Sequence, residues 1–363
     1  MVDSGNIAAD PGLAAVIYRA MVSMGYDAAG LGLMEVSLGA QAAALAEEAK
    51  LPLVGQVSAD VAGGQPGRVT RQVAGVRVGI VSGTWVPDPA AEPYRAALRK
   101  ELEAARGESD FVVLLSGLGW QNDGELLATP GFQDLADVVV GGPFAWQGGG
   151  PAFIGRTLLL PGTSKGKELG VLEVELTAER IRYRHTMTAL DPSFPEAPAI
   201  RAMVDEYYRA HQERPQPIAA ASTSDEPPLP DVFTADEAKL IRARGHLTAP
   251  ECGRCHGKQL QQWQGTQHAQ AMQTLLKAER VVRECLVCHS EASRRGLPYD
   301  PAAADQWGVD CAACHGAGLY HAATKGERDT IVAKPGESVC RRCHTEERDT
   351  GFDFAKRLEP VAH

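Results

Sequence analysis

Cys252-Gly253-Arg254-Cys255-His256 decides how the second half of this chain is read. The same form returns three times, as Cys285-Leu-Val-Cys288-His289, Cys311-Ala-Ala-Cys314-His315 and Cys340-Arg-Arg-Cys343-His344. Cys-x-x-Cys-His is the c-type haem attachment pattern. Each cysteine forms a thioether with a haem vinyl group, and the adjacent histidine lies under the iron as proximal ligand. One such motif would also suit a zinc half-site or a redox dithiol. Here the four motifs use all 8 cysteines of the chain, so the pattern predicts four covalent haem c groups.

The ligands follow by counting. From Phe233 to the end there are eight histidines. Four are the proximal set, His256, His289, His315 and His344; the other four are His246, His268, His321 and His363. Met272 is the one methionine of this region, so at most one iron can take a Met/His pair. The count therefore predicts bis-histidine ligation, with His246, His268, His321 and His363 in the distal positions. Such irons have low potentials and no open coordination site, which suits electron transfer. His246 stands in Arg244-Gly245-His246-Leu247, on the approach to the first motif, and is either a ligand or a loop residue. In the second case one haem is five-coordinate and open to a small molecule. His185 and His211 fall outside the region and read as strand and helix residues.

Four haems in about 130 residues leave little room for a side-chain core. The haems themselves are the expected core, held by short helices and loops. One long helix is expected, over Gln259 to Glu284. Ahead of this region, residues 213–232 are rich in Pro, Ser and acidic groups, which is the composition of an extended linker. An amphipathic helix over Ala199 to His211 precedes it.

Residues 1–190 alternate between helical and strand patterns. Helices are expected over Pro11–Met24, Ala40–Lys50 and Pro93–Ala105. Strands are expected over Ala28–Leu31, Leu53–Val57, Val76–Val81, Phe111–Ser116, Ala136–Val140, Thr157–Leu160, Val171–Leu176 and Ile181–Met187. The sum is an α/β domain, a mixed two-sheet sandwich with flanking helices. The expected division is an α/β domain over 1–190, a helix and linker over 191–235, and a mainly α, haem-cored domain over 236–363.

The net charge of -10 argues against a nucleic-acid partner, whose affinity comes from basic surface. No apolar run reaches membrane-spanning length; Phe111 to Leu115 is typical. Haem attachment takes place outside the cytoplasm, yet Met1-Val2-Asp3-Ser4-Gly5 has neither a basic nor an apolar leader segment. A mature or truncated form is therefore expected, in the periplasm or at the cell surface.

The second region resembles the tetrahaem cytochrome family typified by the electron carrier of nitrifying bacteria. The resemblance rests on the first motif followed by Trp263 and Thr266-Gln267-His268-Ala269, then Glu284-Cys285, then Gly308-Val309-Asp310-Cys311 through Gly316-Ala317-Gly318 with His321. It ends with Cys340 to His344, Gly351-Phe352-Asp353-Phe354 and a terminal His363. It implies distal roles for His268, His321 and His363, and supports His246 less well.

The first region resembles the metallophosphoesterase domain of the periplasmic 5′-nucleotidase/UDP-sugar hydrolase family. The framework matches at Val2 to Asn6, Gly25 to Glu35, Val112 to Gly119, Val139 to Ala145 and Gly162 to Gly170. The metal ligands do not. Leu33 and Met34 stand where that family has its Asn-His pair, Gly117, Pro143 and Ala145 replace histidines, and Asn6 replaces the bridging Asp. Two ions about 3.5–4 Å apart need carboxylate and imidazole ligands. The resemblance thus implies a phosphoesterase fold without its activity, serving as scaffold or docking surface. No catalytic residue is expected there; the partial Gly30-x-Gly32 loop and Ser116-Gly117 fit no nucleotide or nucleophile motif.

The leading functional expectation is an extracytoplasmic electron carrier that meets redox partner proteins or extracellular electron acceptors. Two alternatives stand beside it. One is a subunit that polymerises into a haem-lined filament; the other is an oxidoreductase acting on a small nitrogen or sulfur species at an open haem.

Overall fold

The chain is described here from a computed structural model over residues 1–55, 66–141, 151–160, 162, 166–177, 181–191, 193–214, 228–300, 308–346 and 348–363. Pro143 and Ala145, the Thr163-Ser164-Lys165 stretch and most of the expected linker lie outside these residues. Contacts divide the chain into Met1–Tyr207 and Tyr208–His363.

In the first unit the strands are β1 (Val2–Asp3), β2 (Ala28–Ala29), β3 (Arg68–Val73), β4 (Val76–Gly83), β5 (Phe111–Ser116), β6 (Val138–Gly141), β7 (Ala152–Ile154), β8 (Thr157–Leu160), β9 (Glu168–Leu176) and β10 (Ile181–Ala189). The helices are α1 (Pro11–Ser23), α2 (Leu33–Leu38), α3 (Ala40–Ala49), α4 (Glu92–Glu108) and α5 (Trp120–Ala128), with α6 (Pro198–Ala210) carrying the boundary. Six strands form one sheet in the order β3-β4-β5-β6-β8-β7. The β4, β5, β6 and β8 pairings are parallel, and β3 and β7 close the edges antiparallel. Alternation along β5 divides its side chains between two faces. Val112 and Leu114 join Leu98 and Leu102 of α4 in one cluster, while Leu115 packs with Ala28, Val54 and Ile80. The pair β1-β2 and the hairpin β9-β10 are small separate sheets. The unit is therefore α/β, with its main parallel strands ending near Gly83, Ser116 and Gly141.

The second unit is helical among its described residues: short helices of four to ten residues from Ala235 to Leu358. One expectation is corrected. The single helix over Gln259 to Glu284 is three, Gly257–Gln264, Ala271–Lys277 and Arg283–His289. The first break falls at Gly265 and Thr266, where the Thr266 hydroxyl donates to Trp263 O at 2.7 Å. The second falls at Glu279, with φ 53, and at Val282, an extended cap residue. The strand expected over Ala28–Leu31 is only Ala28–Ala29, and Leu53 makes a single parallel bridge to Ala29. The elements β3, α2, α5 and β7 had no counterpart in the sequence reading. Among the described residues no helix is long and apolar enough to cross a membrane.

Candidate functional site

Each Cys-x-x-Cys-His motif lies on or beside a short helix. In helical backbone, positions i, i+3 and i+4 share one face, so both sulfurs and the imidazole point the same way. Cys285 to His289 and Cys311 to His315 lie within helices; Cys252 and Cys340 sit at or near the ends of Ala249–Gly253 and Glu337–Cys340. The closing turns are hydrogen-bonded, His256 N–H to Cys252 O at 3.0 Å and His344 N–H to Cys340 O at 2.9 Å. Their starts are capped. Glu251 accepts from Thr248 N–H at 2.7 Å, and Asp310 accepts from Ala312 N–H at 3.0 Å. Asp310 caps as the N-cap residue and Glu251 as the N3 residue of a capping box, and both satisfy free donors of a first turn.

All eight cysteines are free of disulfides. Burial pushes the Cys314 and Cys343 thiols up to about 11. The motifs also have an order in space. The helix Cys311–His315 packs against Ala249–Gly253 and Glu337–Cys340, so third lies beside first and fourth. Arg342 donates to Ala313 O across the third and fourth. Cys343 neighbours Cys288, so fourth lies beside second.

The histidines form facing pairs. His256 faces His321 with ring centroids 6.0 Å apart, His344 faces His268 at 6.2 Å, and His315 faces His363 at 5.5 Å. Each pair joins one motif histidine to one histidine from outside the motifs. Two metal–nitrogen bonds of about 2.0–2.1 Å, plus the ring radii, place coaxial imidazoles roughly 6 Å apart. The residues present therefore fit a six-coordinate haem iron at the first, third and fourth motifs.

Nδ1 of most of these rings is occupied, which leaves Nε2 for a metal. His289 donates to Ala271 O at 2.8 Å, His315 to Val332 O at 2.7 Å, His321 to Glu327 O at 3.0 Å and His363 to Val361 O at 3.2 Å. His344 differs in donating to a carboxylate, Asp349 Oδ2, at 2.9 Å. Burial, then the neighbouring His344, lowers the His268 pKa.

His246 and His289 belong to none of the facing pairs. His246 is 1% exposed, and its Nδ1 lies 3.2 Å from Arg244 O. Burial and then the Arg244 charge depress it to about 4, so it is neutral. His185 lies in β10 opposite Leu172, and His211 directly follows α6.

In the first unit, one position where the phosphoesterase resemblance places a metal ligand, Gly117, is closed by backbone. A Cβ on Gly117 would lie 2.8 Å from Leu31 O, 3.1 Å from Gly32 Cα and 3.2 Å from Trp85 N. Glu35, 1% exposed, is occupied by three backbone donors: Asn6 and Ile7 N–H at 2.7 Å and Gly32 N–H at 2.9 Å. Leu33 and Met34 are exposed apolar residues. Among the described residues no group of three or more His, Cys, Asp or Glu is placed to hold a metal ion. Two acids escaped the sequence reading. One is Asp349; the other is Asp123, which accepts from the Ser116 hydroxyl at the end of β5 and which burial pushes up to about 7. Neither carries a motif around it.

Residues 251–316 match the family model described as cytochrome c554 and c-prime. The match covers the first three motifs and marks an electron-carrier segment that binds haem c covalently. No curated protein matches the chain. Among solved structures, the chain is similar to the sulfate thiohydrolase SoxB of Thermus thermophilus, at 19% identity and TM-score 0.46, over 55% of this chain and 40% of that one. It is similar also to a Staphylococcus aureus protein described as a 5′-nucleotidase, at 13% identity and TM-score 0.42, over 57% and 47%. A third is the NAD nucleotidase of Haemophilus influenzae, at 14% and 0.39, over 56% and 48%. The chain thus spans less than half the length of each of these structures.

Proposed function

We propose that the chain is an extracytoplasmic tetrahaem cytochrome of the nitrifier-carrier type that moves electrons between redox partners. The observation that carries this reading is the set of three facing imidazole pairs, each joining a motif histidine to a distal one. Haem c, when bound, supplies one-electron Fe(III)/Fe(II) chemistry. The chain supplies the rest. Cys252, Cys255, Cys285, Cys288, Cys311, Cys314, Cys340 and Cys343 anchor; His256, His289, His315 and His344 are proximal; His268, His321 and His363 are distal. The adjacency of the motifs gives an electron path in the order first, third, fourth, second. On this reading 236–363 is the haem domain, 191–235 its connector and 1–190 a scaffold or docking surface. The backbone packed around Gly117 supports the loss of phosphoesterase activity, because it leaves no room for an imidazole there.

A second reading has its own support. His289 faces no imidazole among the pairs described. On this reading the iron at the second motif is five-coordinate and open to a small nitrogen or sulfur species.

Mass measurement and low-temperature EPR of the purified holoprotein test both. Four covalent haems, all low spin, are expected for the carrier with His246 as the eighth ligand. Four haems with one high-spin signal select the open site. Fewer than four haems overturn the proposal.

A further inference from the structure

The fourth motif is bound differently from its neighbours. His344 Nδ1 donates to Asp349 Oδ2 at 2.9 Å, whereas the Nδ1 partners of His289 and His315 are neutral backbone carbonyls. The geometry is held on several sides. Phe352 stacks on the His344 ring with centroids 4.9 Å apart and 29° between planes, and Arg341 lies over the Phe352 ring at 4.5 Å. Asp349 is fixed by its own N–H, which donates to Thr345 O at 2.8 Å, and by Phe352 N–H, which donates to Asp349 O at 3.2 Å. Its carboxylate is 20% exposed, and the nearest cation, Arg357, stands 3.6 Å away and is itself 58% exposed. The His344–Asp349 contact is thus partly buried, and Arg357, which shares Asp349 Oδ2 at the longer distance, is the more exposed partner.

A carboxylate that accepts from the outer nitrogen of a ligating imidazole makes that imidazole more basic. A more basic axial ligand stabilises Fe(III) over Fe(II), and hydrogen bonding of this kind is one of the levers by which a protein sets a haem potential. Resting on the tetrahaem reading above, we propose that Asp349 is a positioning residue that makes the haem of the fourth motif the lowest in potential of the four. Reduction there adds one electron to the iron, delivered by a neighbouring haem, with no bond broken. Because the fourth motif lies inside the spatial order, between third and second, the step onto it is uphill from either side. Electrons then rest on the outer sites, and the fourth haem separates two reservoirs.

The test uses full-length holoprotein carrying D349N, D349E or D353N, followed by spectroelectrochemical titration. Asp353 lies near in sequence, but its carboxylate accepts from Lys356 N–H and touches no imidazole. D353N therefore removes the same charge without the contact. In D349N the lowest of the four components is expected to rise by about tenfold in its reduction equilibrium, the low end of what such partners contribute, or about 59 mV for one electron. D349E keeps the carboxylate and stays nearer the parent, and D353N moves no component as far. The proposal is overturned if D349N leaves all four components in place, if a component other than the lowest moves, or if D353N matches it. If D349N does not assemble, D349S, which removes the same charge with a smaller side chain, is read by the same criteria. Loss of covalent haem from the parent protein is a different failure, which strikes the tetrahaem reading itself.

Discussion

Gly117→Ala measures how tightly backbone closes around the end of β5. Gly117 follows β5, and its N–H donates to Gly83 O at 2.8 Å. The added methyl would meet Leu31 O at 2.8 Å, Gly32 Cα at 3.1 Å and Trp85 N at 3.2 Å. All three are backbone atoms, and Trp85 N–H donates to Leu31 O at 3.0 Å, so no side chain can rotate away. Overpacking of this kind costs about 1–3 kcal/mol. For a unit near 200 residues, 1 kcal/mol shifts Tm by about 2–4 °C, so a fall of roughly 2–12 °C is expected in the transition of the Met1–Tyr207 unit. Calorimetry of the full holoprotein reads it. Gly107, near the end of α4, is the control, with nothing within 4 Å of its Cβ position. G107A should stabilise by up to about 0.5–1 kcal/mol, the ordinary helix preference of alanine over glycine. A G117A transition within one degree of the parent would refute this tight closure. G117H should unfold earlier still and gain no Mn²⁺-dependent nucleotide hydrolysis.

Two further outcomes are expected. His321→Ala removes one partner of the 6.0 Å His256–His321 pair, so EPR should show one more high-spin haem than the parent while the covalent haem count is unchanged. Asp123→Asn should flatten the dependence of stability on pH. The folded state holds the Asp123 proton up to about 7, against an ordinary 3.8, because the carboxyl is buried. Below about 4 both states are protonated and the group costs nothing. As pH rises from there towards 7, only the unfolded state ionises, so parent stability falls by on the order of 4 kcal/mol at most. Denaturant titrations at pH 4.5 and 8 should show this fall in the parent and lose most of it in the variant.

What was legible in the sequence was local or periodic. The motif sulfurs and histidine lie within one turn of helix, so spacing alone names them. The strand over Phe111–Ser116 and the helices near Pro11, Ala40 and Pro93 carry apolar periods that survive in the fold. The failures have physical causes. The apolar and helix-favouring pattern over Gln259 to Glu284 is continuous, but the Thr266 hydroxyl and the left-handed backbone at Glu279 break it into three. The strand β3, Arg68-Val-Thr-Arg-Gln-Val73, is a half-exposed edge, too polar to show a buried run. The helix α2 begins at Leu33 and Met34, which face solvent, and depends on the buried Glu35 beside its cap. Counting could name His268, His321 and His363, but not their partners, because each pair closes a loop of dozens of residues.

That division bears on how the haem region is built. Anchoring residues are set by local helix geometry, and each distal ligand comes from a segment remote from the motif it serves. His268 of the segment after the first motif faces His344 of the fourth, and His321, after the third motif, faces His256 of the first. On the proposed ligation, iron would tie the ends of the region to one another as a long-range hydrophobic contact does elsewhere, and metal binding would become folding free energy. The side-chain clusters that remain are small: one around Met272, Leu275 and Leu286, another around Phe233, Ile241 and Leu247. It follows that removing one distal histidine should loosen the segment that carries it as well as change the spin state of one iron. His363, an exposed residue that follows the short helix Phe354–Leu358, should release most readily.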